Sequence, residues 1–82
     1  MKNVTYSKEA VKALRRMPAN TAQTIVGKIK AYAANPESQR NNVKALQGRD
    51  GIRLRIGNWR VIMQDGQVLA VLEINPRGGA YR

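Results

Sequence analysis

Apolar and polar residues alternate along residues 52–56 (Ile-Arg-Leu-Arg-Ile) and 59–63 (Trp-Arg-Val-Ile-Met), and Gly57-Asn58 between them predicts a two-residue hairpin turn. That register pairs Ile56 with Trp59 and Arg55 with Arg60. Side chains opposed across an antiparallel pair share a face, so Arg53, Arg55 and Arg60 fall together, while Ile52, Leu54, Ile56, Trp59, Val61 and Met63 face the core. Asp65-Gly66 marks a second two-residue turn, pairing Gln64 with Gln67, Ile62 with Leu69 and Arg60 with Val71. The third strand, residues 67–74, then has Val68, Ala70, Leu72 and Ile74 on the core face and Glu73 on the arginine side. Extended backbone through Asn75-Pro76 carries Arg77 to that side too, and Gly78-Gly79 lets the chain bend so that Tyr81 returns towards it.

Upstream, Asn3 to Tyr6 alternates like a short first strand. Ser7 is an N-cap, with Glu9 in the first turn of a helix that carries Ala10, Leu14 and Met17 on one side and stops before Pro18. Asn20 or Thr21 caps a second helix with the stripe Ala22, Ile25, Val26, Ile29, Tyr32 and Ala33, ended by Asn35-Pro36. Lys12, Arg15, Arg16, Lys28 and Lys30 take the opposite faces and read as solvated surface. Residues 35–51 read as a polar loop, with Val43, Ala45 and Leu46 docking on the core. The pattern is an α+β domain spanning residues 1–82: an N-terminal strand, a two-helix hairpin and a three-stranded antiparallel meander, with the helices packed on a twisted antiparallel sheet.

Fifteen Lys and Arg against five Asp and Glu give a formal charge of +10, which favours polyanionic partners such as nucleic acid, the ribosome or an acidic protein. Charge alone does not locate the site, because residues 1–48 hold nine basic and two acidic residues and residues 49–82 hold six and three. The chain has no cysteine or histidine, which removes a disulfide framework, a thiolate metal site and the commonest general base. No metal or other cofactor is expected. No apolar run approaches a membrane span and no signal-peptide core follows Met1, so the expected location is cytoplasmic.

Like charges opposed across strands destabilise a sheet, so Arg55 facing Arg60 calls for an anion between them, and a guanidinium fork fits phosphate. Either Arg53 or Arg55 alone reads as an ordinary solvated strand residue; convergence with Arg60 and Arg77 is what solvation leaves unexplained. Glu73 reads first as an ion-pair partner for Arg55 or Arg60 and second as a supporting acid or base. Trp59 is core packing. Tyr81 either packs on the sheet edge or stacks on a nucleobase.

The order strand, two helices and meander, with Arg-Leu-Arg-Ile-Gly-Asn-Trp-Arg-Val-Ile and then Asn-Pro-Arg-Gly-Gly-Ala-Tyr-Arg, resembles the RelE/ParE superfamily of bacterial type II toxins over essentially the whole chain. The resemblance implies a RelE-like toxin neutralised by a cognate antitoxin. RelE-type members cut messenger RNA in the ribosomal A site. By that resemblance Arg53 and Arg55 match the family's paired basic strand residues, Arg60 the arginine of the next strand, and Arg77 and Tyr81 the C-terminal arginine and tyrosine. It implies a metal-independent, ribosome-dependent endoribonuclease that inhibits translation, in which Arg53, Arg55 and Arg60 grip phosphate, Arg77 assists the leaving oxygen and Tyr81 stacks on a base. Some RelE enzymes carry lysines where Arg53 and Arg55 stand, and an arginine cannot give up its proton. The proton acceptor is therefore open between Glu73, Tyr81 and a ribosomal group. Two alternatives share the fold: a ParE-like inhibitor of DNA gyrase, and a basic domain that binds RNA without cutting it.

Overall fold

The structure, a computed structural model, describes residues 2–76. Strand β1 (Val4–Tyr6) leads into helix α1 (Lys8–Arg16) and helix α2 (Ala19–Ala34), followed by a 3-10 helix (Pro36–Asn42) and strands β2 (Val43–Ala45), β3 (Ile52–Ile56), β4 (Trp59–Asp65) and β5 (Leu69–Pro76). The strands form one sheet in the order β1-β5-β4-β3-β2. The α+β class, the first strand, the helix pair and the meander match the reading of the sequence. The sheet is nevertheless mixed, because β1 lies parallel to β5, and it gains β2 and the 3-10 helix from residues expected to be loop.

Both helices begin for local reasons. Ser7 is extended and its Oγ accepts from the Ala10 amide at 3.0 Å, as an N-cap should. The second start departs from expectation: Pro18, not Asn20 or Thr21, precedes α2. Proline's fixed φ suits a helix entrance, and its carbonyl accepts from Ala22 at 3.0 Å, while Asn20 Oδ1 only takes the Thr21 amide. Ala10, Met17, Ile25, Ile29 and Tyr32 from the helices meet Leu54, Ile56, Val61, Met63, Leu69, Val71 and Ile74 from the sheet, and this contact is the core. Trp59 packs against it, half-buried.

The first hairpin has the predicted register, Arg55 opposite Arg60 and Ile56 opposite Trp59. Gly57 supplies the turn with φ 56° while Asn58 stays at negative φ, the glycine-first pattern of a type II′ turn. The second hairpin corrects the sequence reading. Gly66, Gln67 and Val68 make a three-residue connection in which the Gly66 amide donates to the Val68 carbonyl at 3.0 Å, so Asp65 pairs with Leu69, Gln64 with Ala70 and Met63 with Val71. Val68 stays 40% exposed, and Leu69 and Val71 enter the core instead of Val68 and Ala70. The parallel contact with β1, which sets Val4 against Leu69, favours this register and is invisible to a local turn rule.

A bulge then shifts the pairing, so that Ile62 meets Glu73, Val61 meets Ile74 and Arg60 meets Asn75. Leu72 is the extra residue, and Ser7 Oγ donates to its carbonyl at 2.6 Å. The bulge returns Ile74 to the core and Glu73 to the arginine side.

Asp65 clamps three parts of the chain: Lys2 donates to its carboxylate, and the Tyr32 hydroxyl donates to Oδ2 at 3.0 Å. The hydrogen bond from Lys2, above all, holds the Asp65 pKa below the ordinary 3.8; burial and the bond to Asp65 push Tyr32 up to about 12. A depressed carboxylate contributes stability that is present above its unfolded value and lost as pH falls through the folded one. Acid titration of the thermal midpoint is therefore expected to show a loss below about pH 3.8 that Asp65→Asn removes, with Asp65→Asn less stable than the parent at neutral pH.

Candidate phosphate-binding face

The helices cover one face of the sheet, and the opposite face collects the cations. Cross-strand register builds it in two rows. In one, Lys44 on β2, Arg53 on β3, Ile62 on β4 and Glu73 on β5 lie side by side; in the next, Arg55, Arg60 and Asn75 do. Arg53 and Arg60 are half-buried, Lys44 and Arg55 exposed. The structure thus brings together three of the arginines expected from the sequence, Arg53, Arg55 and Arg60, along with Glu73. Arg77 and Tyr81 lie outside the described residues.

Lys44, Asn75 and Arg49 are members of this face that the sequence reading missed. The Val43-Lys44-Ala45 alternation was the available signal for Lys44, too short to stand out inside a polar stretch. Asn75 stands two positions after Glu73, so the same parity that puts Glu73 on this side was the available signal for it. Arg49 belongs to the connection between β2 and β3, where Gly51 at φ 123° sets its would-be Cβ 2.9 Å from the Met63 carbonyl oxygen, a close approach that only glycine permits. The loop so placed sends Arg49 Nη2 to Glu73 Oε2 at 3.4 Å, joining it to β5, beyond β3 and β4 in the sheet. The other oxygen, Oε1, accepts from Asn75 Nδ2 at 3.2 Å. The carboxylate expected to anchor Arg55 or Arg60 is therefore met by Arg49 and Asn75.

Ile62 explains how the cations are carried. It points to the arginine side yet is only 7% exposed, and it is not part of the apolar cluster under the helices. Arg53 and Glu73 lie opposite it, and Arg60 and Gln64 stand two residues away on its own strand. Aliphatic stems of long charged side chains cover such a residue while their heads reach water. The face is an apolar floor fringed by guanidinium groups, and what it can do chemically is hold an anion with several cationic donors. A cleft lined by Glu9, Leu72, Glu73, Ile74 and Asn75 opens between α1 and β5.

Over residues 4–81 the chain matches a family model described as ParE toxin of type II toxin-antitoxin system, parDE. It is similar to the archaeal RelE-RelB complex from Pyrococcus horikoshii, with 27% identity and a TM-score of 0.80 over 95% of this chain and 97% of that one. The RelB-RelE antitoxin-toxin complex from Methanococcus jannaschii aligns with 20% identity and a TM-score of 0.74 over 94% of each chain. The isolated E. coli RelE toxin aligns with 16% identity and a TM-score of 0.76 over 99% of this chain and 92% of that one. The last two likenesses are of fold. No curated protein sequence matches the chain. Among the described residues no helix is long and apolar enough to cross a membrane.

Proposed function

We propose, from the premise that this chain belongs to the ParE/RelE toxin family of type II toxin-antitoxin systems, that it cuts messenger RNA on the ribosome and so stops translation. The observation that carries this reading is Arg55 set directly against Arg60, flanked by Arg53 and Lys44 on one sheet face. A sheet tolerates such repulsion most readily when a phosphate sits between the heads.

Cleavage needs no metal. The 2′-hydroxyl attacks the adjacent phosphate, leaving a cyclic phosphate and a 5′-hydroxyl, and the protein must hold the reacting oxygens in line and neutralise the charge growing on the phosphoryl oxygens. Arg60, on the strand between β3 and β5, is the central clamp, and Arg53 and Arg55 grip the same or the neighbouring phosphate. Arg77 assists the leaving oxygen and Tyr81 stacks on a base, roles that rest on the family resemblance. Stacking suits single-stranded RNA, whose bases can be splayed out and which alone supplies the 2′-hydroxyl. The protein's partners are then the ribosome with its message and an antitoxin acidic enough to cover a chain at +10. The place of action is the cytoplasm.

A second reading, inhibition of DNA gyrase, rests on the resemblance to ParE, the toxin that the matching family model describes. Induction of the protein followed by mapping of message ends decides between them. Codon-phased cuts are expected. Intact messages with DNA-damage signalling would mean gyrase, and neither response would leave a non-cutting RNA-binding domain.

A further inference from the structure

We propose that Arg49 and Glu73 form a latch on the arginine face: an RNA phosphate draws Arg49 off Glu73 into the anion grip, and the released Glu73 carboxylate takes the proton of the attacking 2′-hydroxyl. This rests on the nuclease reading and supplies the proton acceptor that Arg53, Arg55 and Arg60 cannot be.

Two observations and one point of chemistry carry it. The ion pair is long, at 3.4 Å, and its side chains are 53% and 43% exposed, so it is easily exchanged for a better anion. A phosphodiester offers Arg49 two oxygens in the geometry that a guanidinium fork prefers. Asn75 holds the other Glu73 oxygen from the position opposite Arg60, so releasing Arg49 leaves the carboxylate anchored beside the central clamp rather than adrift.

In the step itself the O2′–P bond forms and the P–O5′ bond breaks. The O2′ proton goes to Glu73, and the electron pair leaves with O5′, which takes a proton from water. Glu73 then returns its proton to solvent and re-pairs with Arg49. The acceptor is thus engaged by Arg49 until a phosphate arrives, a dependence on substrate that suits a toxin.

The test uses purified protein, an RNA oligonucleotide methylated at every 2′-oxygen for binding, and programmed ribosomes for cleavage, with thermal melts run on each variant. Glu73→Gln is expected to bind the oligonucleotide at least as tightly as the parent while cleaving at least 100-fold more slowly. Arg49→Ala is expected to bind several-fold more weakly, with a salt slope smaller by about 0.7, one phosphate contact on a single strand. Parental cleavage by Glu73→Gln, parallel loss of binding and melting temperature in that variant, or an unchanged slope in Arg49→Ala would overturn the latch. Failure of the wider reading looks different: the parent then does not cleave, or Arg60→Ala binds the oligonucleotide as well as the parent does.

Discussion

Arg60→Ala is expected to lower message cleavage by on the order of 100- to 1,000-fold and to abolish toxicity on induction, while the domain stays folded. The scale is that of removing one fixed donor to a developing oxyanion. Arg60 stands between Arg55 and Asn75, so it is the cation best placed to share a phosphate with a second arginine. Stability responds far less. The substitution removes a like charge facing Arg55, worth roughly 0.2–1 kcal/mol, but it also removes a side-chain stem beside Ile62, so the two effects oppose each other, while Val61 and Met63 remain fully buried on the opposite face. Melting by circular dichroism should therefore show only a small change. Arg60→Lys keeps the charge without the fork and should recover only part of the activity. Toxicity that survives Arg60→Ala, with messages intact, would move the target away from RNA.

The half of the face that this prediction uses is legible in the sequence. Gly57-Asn58 fixes one register, and with a period of two that register alone sets Arg53, Arg55 and Arg60 on one side and Leu54, Ile56 and Val61 on the other. The second hairpin was not legible. Asp65-Gly66 is a strong two-residue signal, but the sequence gives no local sign that Leu69 is recruited by β1, a partner more than sixty residues away. Glu73 was placed on the correct side because the bulge at Leu72 reverses the parity that the longer loop had changed. Lys44 and Arg49 escaped for a related reason: a three-residue edge strand takes its conformation from β3, and a loop's reach depends on a glycine geometry that composition does not encode.

Leu54→Ala is expected to cost about 2–5 kcal/mol and to remove toxicity by a different route from Arg60→Ala. Leu54 is fully buried on the core face of β3, opposite Val43 and Val61, with Arg53 and Arg55 on either side of it in sequence. Its truncation leaves a cavity under the strand that carries two of the phosphate-binding arginines. Domains of this kind hold roughly 5–15 kcal/mol in all, and at this size each kcal/mol is worth about 4–8 °C of melting temperature. The variant should melt at least 8 °C lower, and its toxicity should fall with the amount of folded protein. Lowering the growth temperature, which restores part of the folded population, should therefore restore part of the toxicity. Arg60→Ala should stay inactive at either temperature, because what it lacks is a donor rather than a fold. An Leu54→Ala protein that melts with the parent would mean that β3 is not seated on the helices as described, and the alignment of Arg53 with Arg55 would lose its physical support.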